Sequence, residues 1–372
     1  VNRGDKPGQM GDALPAVDLG TGAKAVALRA RGSQTCALLA TGELKCWGAN
    51  GSGQLGQGDT QVRGDKPGQM GDALLPIALG ASVAHANSGG TPCAWLVDGR
   101  LKCWGANGQG QLGLGDKSNR GDAPGEMGAA LPAVDLGSKG AVAQSASGSL
   151  HTCVRFADGT IACWGSNSRG QLGLGAVANV GDQPGQMGDA LPHVDLGAGA
   201  KATQLSVGTI HDCVVLEGGK VKCWGYNFQG QLGLGDTDDR GDQAGEMGDA
   251  LPFVDLGTNR KAVSLVSDNL STCALLDDGH VKCWGSRLVS AGTTKVFGST
   301  PGTMGDALPS IDLGASKVTA LAPGPCALFE DGRVTCWGKN ESGQLGLGDT
   351  LDRGDVEQKG AALPLVDLGS AL

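Results

Sequence analysis

Twelve cysteines are the residues of this 372-residue chain with the most chemistry to offer, and they fall into six identical pairs: Cys36 and Cys46, Cys93 and Cys103, Cys153 and Cys163, Cys213 and Cys223, Cys273 and Cys283, and Cys326 and Cys336. Thiols can ligate metal, attack an electrophile or oxidise to disulfides. There is no Cys-x-x-Cys, and the histidines (His85, His151, His193, His211 and His280) make no cluster at ligand spacing, so a zinc site is disfavoured. Free cysteines buried as small core hydrophobes are an alternative. No nucleophile–base pair recurs beside the histidines. The chain is therefore expected to be non-catalytic, with no catalytic residue assigned and no cofactor. Carboxylates in Asp236-Thr-Asp-Asp-Arg-Gly-Asp242 offer oxygen ligands, and Asp236, Asp238 and Asp242 are weak Ca²⁺ candidates. Their spacing matches no complete calcium loop, and the third copy of the segment reads Ala176-Val-Ala-Asn-Val-Gly-Asp182.

The elements that position the cysteines follow from a glycine that always stands six residues after the first of each pair: Gly42, Gly99, Gly159, Gly219, Gly279 and Gly332. A glycine in fixed register between two apolar stretches predicts a three-residue hairpin loop, a type I turn closed by a left-handed glycine, as in Ala40-Thr41-Gly42. Leu39 then faces Glu43, Leu38 faces Leu44, and Cys36 faces Cys46 in a non-hydrogen-bonded pair. Such pairs hold their Cα atoms about 4.5 Å apart, near the short end of what a disulfide bridges. A two-residue turn would set Cys36 against Trp47 and forbid the bond. Six intra-hairpin disulfides are expected, and with them an oxidising compartment: secreted, at the cell surface or periplasmic.

Each hairpin ends in Cys-Trp-Gly. The tryptophans Trp47, Trp104, Trp164, Trp224, Trp284 and Trp337 are spaced by 57, 60, 60, 60 and 53 residues, and this period outweighs chain length as a guide to domain number. Sixty-seven glycines and 3% aromatics suit tight turns between short strands. No apolar run is long enough to span a membrane. A net charge of −9 argues against nucleic acid. The chain starts in mid-repeat at Val1-Asn2-Arg3, which points to a processed or truncated piece of a longer product.

One unit runs from Lys201-Ala-Thr-Gln-Leu-Ser-Val207, through the strands Cys213–Leu216 and Lys220–Trp224 and a glycine-rich turn, to Leu251-Pro-Phe-Val-Asp-Leu-Gly257. Four short strands at this period predict the blades of an all-β propeller. The string Cys-Trp-Gly-x-Asn-x-x-Gly-Gln-Leu-Gly, whole after Trp47, Trp104, Trp164, Trp224 and Trp337, resembles the repeat of the regulator of chromosome condensation family, whose members are propellers, usually of seven blades. The long insert in each unit resembles variants found in bacteria. The resemblance implies one domain over residues 1–372, with repeats at about 21–80, 81–137, 138–197, 198–257, 258–314 and 315–369 and a partial repeat at 1–20. Outer strands begin seven times, at Leu14, Leu74, Leu131, Leu191, Leu251, Leu308 and Leu363, against six hairpins. Six complete blades plus a fragment of a seventh is the expectation, and a six-bladed ring with a surplus strand the alternative.

Positions that are the same in every copy serve the fold, and function is sought where the copies differ. The loops between first and second strands vary, as do the turns after each tryptophan. Aromatic and arginine anchors dominate interfaces, which selects Tyr226, Phe228, Arg169 and His211 as binding residues. The repeated Arg-Gly-Asp at Arg3, Arg63, Arg120, Arg240 and Arg353 reads as structural before it reads as an adhesion ligand. Blade five replaces the tryptophan-proximal turn by Ser286–Phe297, through functional insertion or decay. The leading reading is a disulfide-stabilised extracellular module that binds a protein partner; an adhesive matrix or filament subunit that self-associates is the alternative, and a carbohydrate- or Ca-binding protein or an enzyme ranks lower.

Overall fold

The computed structural model describes residues 2–87, 89–286, 296–314, 316–324, 326–353 and 363–370. Its strands form six three-stranded antiparallel sheets, one per repeat. Blade one is β1 (Ala25–Arg31), β2 (Gln34–Leu39) and β3 (Leu44–Gly48); blade two is β4 (Val83–Asn87), β5 (Cys93–Leu96) and β6 (Leu101–Cys103). Blade three is β7 (Val142–Ser147), β8 (His151–Phe156) and β9 (Ile161–Gly165); blade four is β10 (Ala202–Val207), β11 (His211–Leu216) and β12 (Val221–Gly225). Blade five is β13 (Ala262–Ser267), β14 (Ser271–Leu276) and β15 (Val281–Gly285), and blade six is β16 (Val318–Ala322), β17 (Cys326–Phe329) and β18 (Val334–Cys336). Described helix is confined to one-turn 3-10 segments such as Gly71–Ala73 and Gly305–Ala307.

The chain divides into two compact units: Val17–Asp195 with Gly241–Met247, holding blades one to three, and Val1–Ala16 with Leu196–Arg240 and Gly248–Leu372, holding blades four to six. Within each unit the apolar cores lie between neighbouring blades. Leu38, Leu44 and Leu55 of blade one bury against Leu96 and Trp104 of blade two, and Val215, Val221 and Leu232 of blade four against Leu265, Leu276 and Trp284 of blade five. Strand alternation explains this: each strand gives one side chain in two to each neighbouring blade.

The hairpin register is the one the glycines predict. Cys36 faces Cys46 and Leu38 faces Leu44, Leu39 N–H donates to Glu43 O at 2.8 Å, and Gly42 has φ +81°. All six pairs are disulfides: Cys36 bonds to Cys46, Cys93 to Cys103, Cys153 to Cys163, Cys213 to Cys223, Cys273 to Cys283 and Cys326 to Cys336, with Cα separations of 4.0–4.1 Å. No cysteine is free. Cys163 and Cys223 are 0% exposed, the burial that a small core hydrophobe would show, but both are cross-linked, so the free-thiol alternative does not hold.

The expected fourth strand is not a full strand. The segment after each insert reaches the third strand through one backbone hydrogen bond, Ile77 N–H to Leu44 O, Val134 to Leu101, Val194 to Ile161, Val254 to Val221. The proline that opens it, such as Pro132 or Pro252, has no N–H to extend the ladder. The N-terminal segment has a defined place within its unit: Gly11 N–H donates to Asp367 O at 3.1 Å, and Ser370 N–H and Oγ donate to the Asp12 carboxylate. It docks on blade six as each insert docks on the blade before it.

Candidate interaction surface

The signature turn is a polar clamp that builds the scaffold. Asn227, fully buried, accepts from Leu232 N–H through Oδ1 and donates from Nδ2 to the Asp236 carbonyl and carboxylate. Asn50, Asn107 and Asn340 repeat this on Asp59, Asp116 and Asp349. The carbonyl of the turn's glutamine then takes the indole N–H of the next blade: Trp104 Nε1 donates to Gln54 O, Trp164 to Gln111 O and Trp284 to Gln231 O, each at 3.0 Å. Buried amides must find partners, which is why Asn and Gln recur here.

Several sequence candidates belong to this scaffold. The buried sulfurs of Cys163 and Cys223 are spent on Cys153 and Cys213 inside their own hairpins, so they hold the blades and form no part of an exposed binding face. Arg63, Arg120 and Arg240 each pair with the aspartate four residues earlier at 2.6 Å, and Arg353 pairs with Asp349. Blade three loses both partners together, carrying Ala176 and Val180. The described Arg-Gly-Asp arginines of the inserts are thus committed to structure. Asp236 spends its oxygens on Asn227, Asp238 N–H and Arg240. Asp236, Asp238 and Asp242 join no group of described side chains close enough to hold a metal ion. His211 is a correction: it is 0% exposed at the start of β11, with Nε2 2.9 Å from Thr272 Oγ1. The first residue of the second strand points between blades, so this histidine offers no anchor to a partner.

The structure does bring the two variable loop sets together. In blades one, three, four and five the residue after Cys-Trp-Gly donates its N–H to the last residue of the loop between first and second strands: Ala49 to Ser33 O, Ser166 to Leu150 O, Tyr226 to Ile210 O, Ser286 to Leu270 O. Both sets therefore lie at one end of each blade, opposite the cysteine hairpin turn. In blade three Arg169 is exposed in this turn. In blade four Phe228 is 64% exposed and stacks on the half-buried Tyr226, ring centroids 6.3 Å apart and planes 11° apart.

On the same unit, Thr209 N–H donates to Asp268 O at 3.3 Å. Asp268 opens a cavity of about 340 Å³ between blades five and six, lined also by Asn269, Leu270, Ser286, Trp337 and Lys339. Trp337 is fully buried, and its Nε1 has no hydrogen-bond partner among the described residues. Blade five carries Ser286–Phe297 in place of the turn whose backbone carbonyl serves the indoles of Trp104, Trp164 and Trp284, and Arg287–Lys295 lie outside the described residues. Leu270 lies in one of the variable loops and Ser286 opens the divergent blade-five turn, both read from sequence, whereas Lys339 was not singled out. The departure of blade five was the signal that could have found it.

The scaffold has identifiable relatives. The Regulator of chromosome condensation (RCC1) repeat model matches residues 35–54, 98–155, 142–171 and 326–344. These segments of the chain are RCC1 repeats. The RCC1-repeat chain is 29% identical over 346 residues to the ultraviolet-B receptor UVR8 of Arabidopsis thaliana, covering 89% of this chain and 68% of that one. It is 27% identical to the human E3 ubiquitin-protein ligase HERC2 over 84% of its own length, but over only 6% of that protein. Among solved structures, human WBSCR16 superposes with a TM-score of 0.72 at 18% identity over 94% of this chain and 83% of that one. Prp20p of Saccharomyces cerevisiae, studied for its binding to Gsp1p and histones, superposes with 0.67 at 18% over 92% and 77%. These likenesses establish the all-β propeller fold.

Proposed function

We propose that this RCC1-repeat protein is a non-catalytic protein-binding module, and that the partner seats on the variable-loop end of blades four to six. The observation that carries this is the stacked Tyr226–Phe228 pair. Its exposed ring stands where four of the other five copies have the small or polar residues Gly51, Gly108, Ser168 and Glu341, on the unit that also holds the Trp337 cavity. An aromatic pair on the same unit as a mostly apolar hollow that includes Leu270 and Trp337, with Asp268 and Lys339 among its lining, has the composition of an interface centre. Prp20p, the yeast RCC1, is seen bound to Kap60 and was studied for binding to Gsp1p and histones, which supports the class of function, though not the partner.

An extracellular or cell-surface setting is part of the same reading. It rests on twelve cysteines held as six disulfides with none free, an arrangement that reducing compartments do not maintain. A photo-reactive amino acid placed at Phe228 should yield a protein adduct in the native extracellular fluid, whereas the same probe at Asp277, in the hairpin turn at the opposite end of blade five, should not. Adducts from both positions, or from Asp277 alone, would overturn the assignment of the face.

A further inference from the structure

Each outer segment meets the next insert through a recurring set of charges. A lysine of the third strand donates Nζ to backbone carbonyls of the junction: Lys45 to Leu19 O and Gly71 O, Lys222 to Leu196 O and Gly248 O, Lys282 to Leu256 O and Gly305 O. Two carboxylates stand with it. One, in the outer segment, accepts the N–H of the glycine two residues on: Asp18 from Gly20, Asp135 from Gly137, Asp255 from Gly257, Asp367 from Gly369. The other, from the Gly-Asp-Ala turn, accepts the next N–H: Asp72 from Thr21, Asp189 from Ser138, Asp249 from Ala198, Asp306 from Thr258, Asp12 from Ser370.

The junction of blades one and two departs from this. Ala78 and Ala129 stand at the two aspartate positions, yet the lysine is kept as Lys102. Lys102 is 1% exposed and has a single carbonyl partner, Gly128 O at 2.7 Å. The space shows the same difference. A methyl group built on Gly20, Gly137, Gly197, Gly257 or Gly369 would meet a carboxylate oxygen at 2.3–2.7 Å, whereas at Gly80 the first atom met is Lys102 Nζ at 3.8 Å. Ala78, Gly80 and Ala129 are exposed, so the notch opens to solvent. Blade six supplies the contrast: there Ala361 again replaces the turn aspartate, but the lysine position holds Thr335. Only at Lys102 is the cation retained with both carboxylates gone. Burial holds the Lys102 ammonium below the ordinary lysine range, as it does that of Lys282, with Arg100 adding to the effect at Lys102 and Asp98 opposing it.

We propose that this notch is a carboxylate-binding site, in which Lys102 Nζ and the N–H groups of Gly80 and Ala81 receive the carboxylate of another molecule where the other junctions supply their own. Charge-assisted hydrogen bonds from an ammonium and two adjacent amides suit a carboxylate. The site is separate from the Tyr226–Phe228 surface and does not rest on it.

Solution NMR of the ¹⁵N-labelled full chain tests this, with sodium acetate and the blocked peptide acetyl-Gly-Asp-Ala-amide as probes and sodium chloride at matched ionic strength as control. The Gly80 and Ala81 amide signals should shift saturably with the carboxylates and not with chloride. In Ala129→Asp, which restores the residue of the other repeats, both signals should sit near their bound positions and respond no further. Half-saturation by the peptide at least about ten-fold below acetate assigns the site to carboxylates borne on polypeptides, and equal values assign it to small free carboxylates. Unmoved amides in the native chain, or an Ala129→Asp chain that titrates like the native one, would refute the site.

Discussion

Thr258 holds the carboxylate of Asp306 from two sides, its hydroxyl at 2.6 Å and its N–H at 2.9 Å, and Thr21, Ser138 and Ser370 do the same for Asp72, Asp189 and Asp12. These bonds keep all four carboxyls below the usual aspartate range, the hydroxyl contributing most at Asp306 and the backbone N–H at the other three. Because the folded-state pKa is depressed, the stabilisation is fully present above the unfolded value near 4 and is lost as pH falls through the folded one. Urea midpoints measured from about pH 7 down to about pH 2 should fall steeply below about pH 4, and Asp306→Asn should flatten that fall; an unchanged acid limb would argue against the role of these pairs. A second residue-scale expectation concerns His211. Removing its buried ring in His211→Ala leaves Thr272 Oγ1 without this neighbour and opens a hole, so thermal unfolding should show a loss of about 2–4 kcal/mol while a partner's affinity stays unchanged. The aspartate bonds were not legible in the sequence, since acceptor and donor lie 48, 51 or 358 residues apart. Nor was the burial of His211, because strand register, not residue type, turns it inward.

At the scale of the element, the cysteine hairpin is the part read most fully from sequence. A glycine in fixed register specifies loop length, loop length specifies pairing, and pairing sets Cys36 against Cys46, as the strands show. The same rule placed Cys153 against Cys163 and Cys213 against Cys223. The outer strand was over-read for a local reason: alternating residues after Leu131 and Leu251 look like a strand, but Pro132 and Pro252 remove a donor and leave one bond to the sheet. Each disulfide closes a short loop with a sequence separation of 10, for which chain entropy gives about 2.5–3 kcal/mol. Replacing Cys273 and Cys283 together by alanine should lower unfolding stability by about that amount, with the other five bonds intact by peptide mapping. A loss well under about 1 kcal/mol would mean that packing, and not the cross-link, holds this hairpin.

At the scale of the whole molecule, repetition separates scaffold from function. The Asn–Asp clamp, the Trp–Gln bond and the Arg–Asp pair recur across most blades as scaffold, and in blade three both partners of the Arg–Asp pair are replaced together, by Val180 and Ala176. The informative departures are the Tyr226–Phe228 stack, the blade-five sequence Ser286–Phe297 that replaces the turn of the other copies, and Lys102 without its junction carboxylates. That both variable loop sets meet at one blade end was not legible, since it depends on the pairing of Tyr226 with Ile210 and its counterparts. The most direct test of a scaffold with its function at that end is a chain carrying Tyr226→Ala, Phe228→Ala and Lys339→Ala, beside a control carrying Asp277→Ala and Glu330→Ala in hairpin turns. Immobilised in native extracellular fluid, the first should melt like the unaltered protein yet retain at least about ten-fold less of the partner, and the control should retain all of it. Undiminished retention by the first chain, or loss by the control alone, would contradict the account.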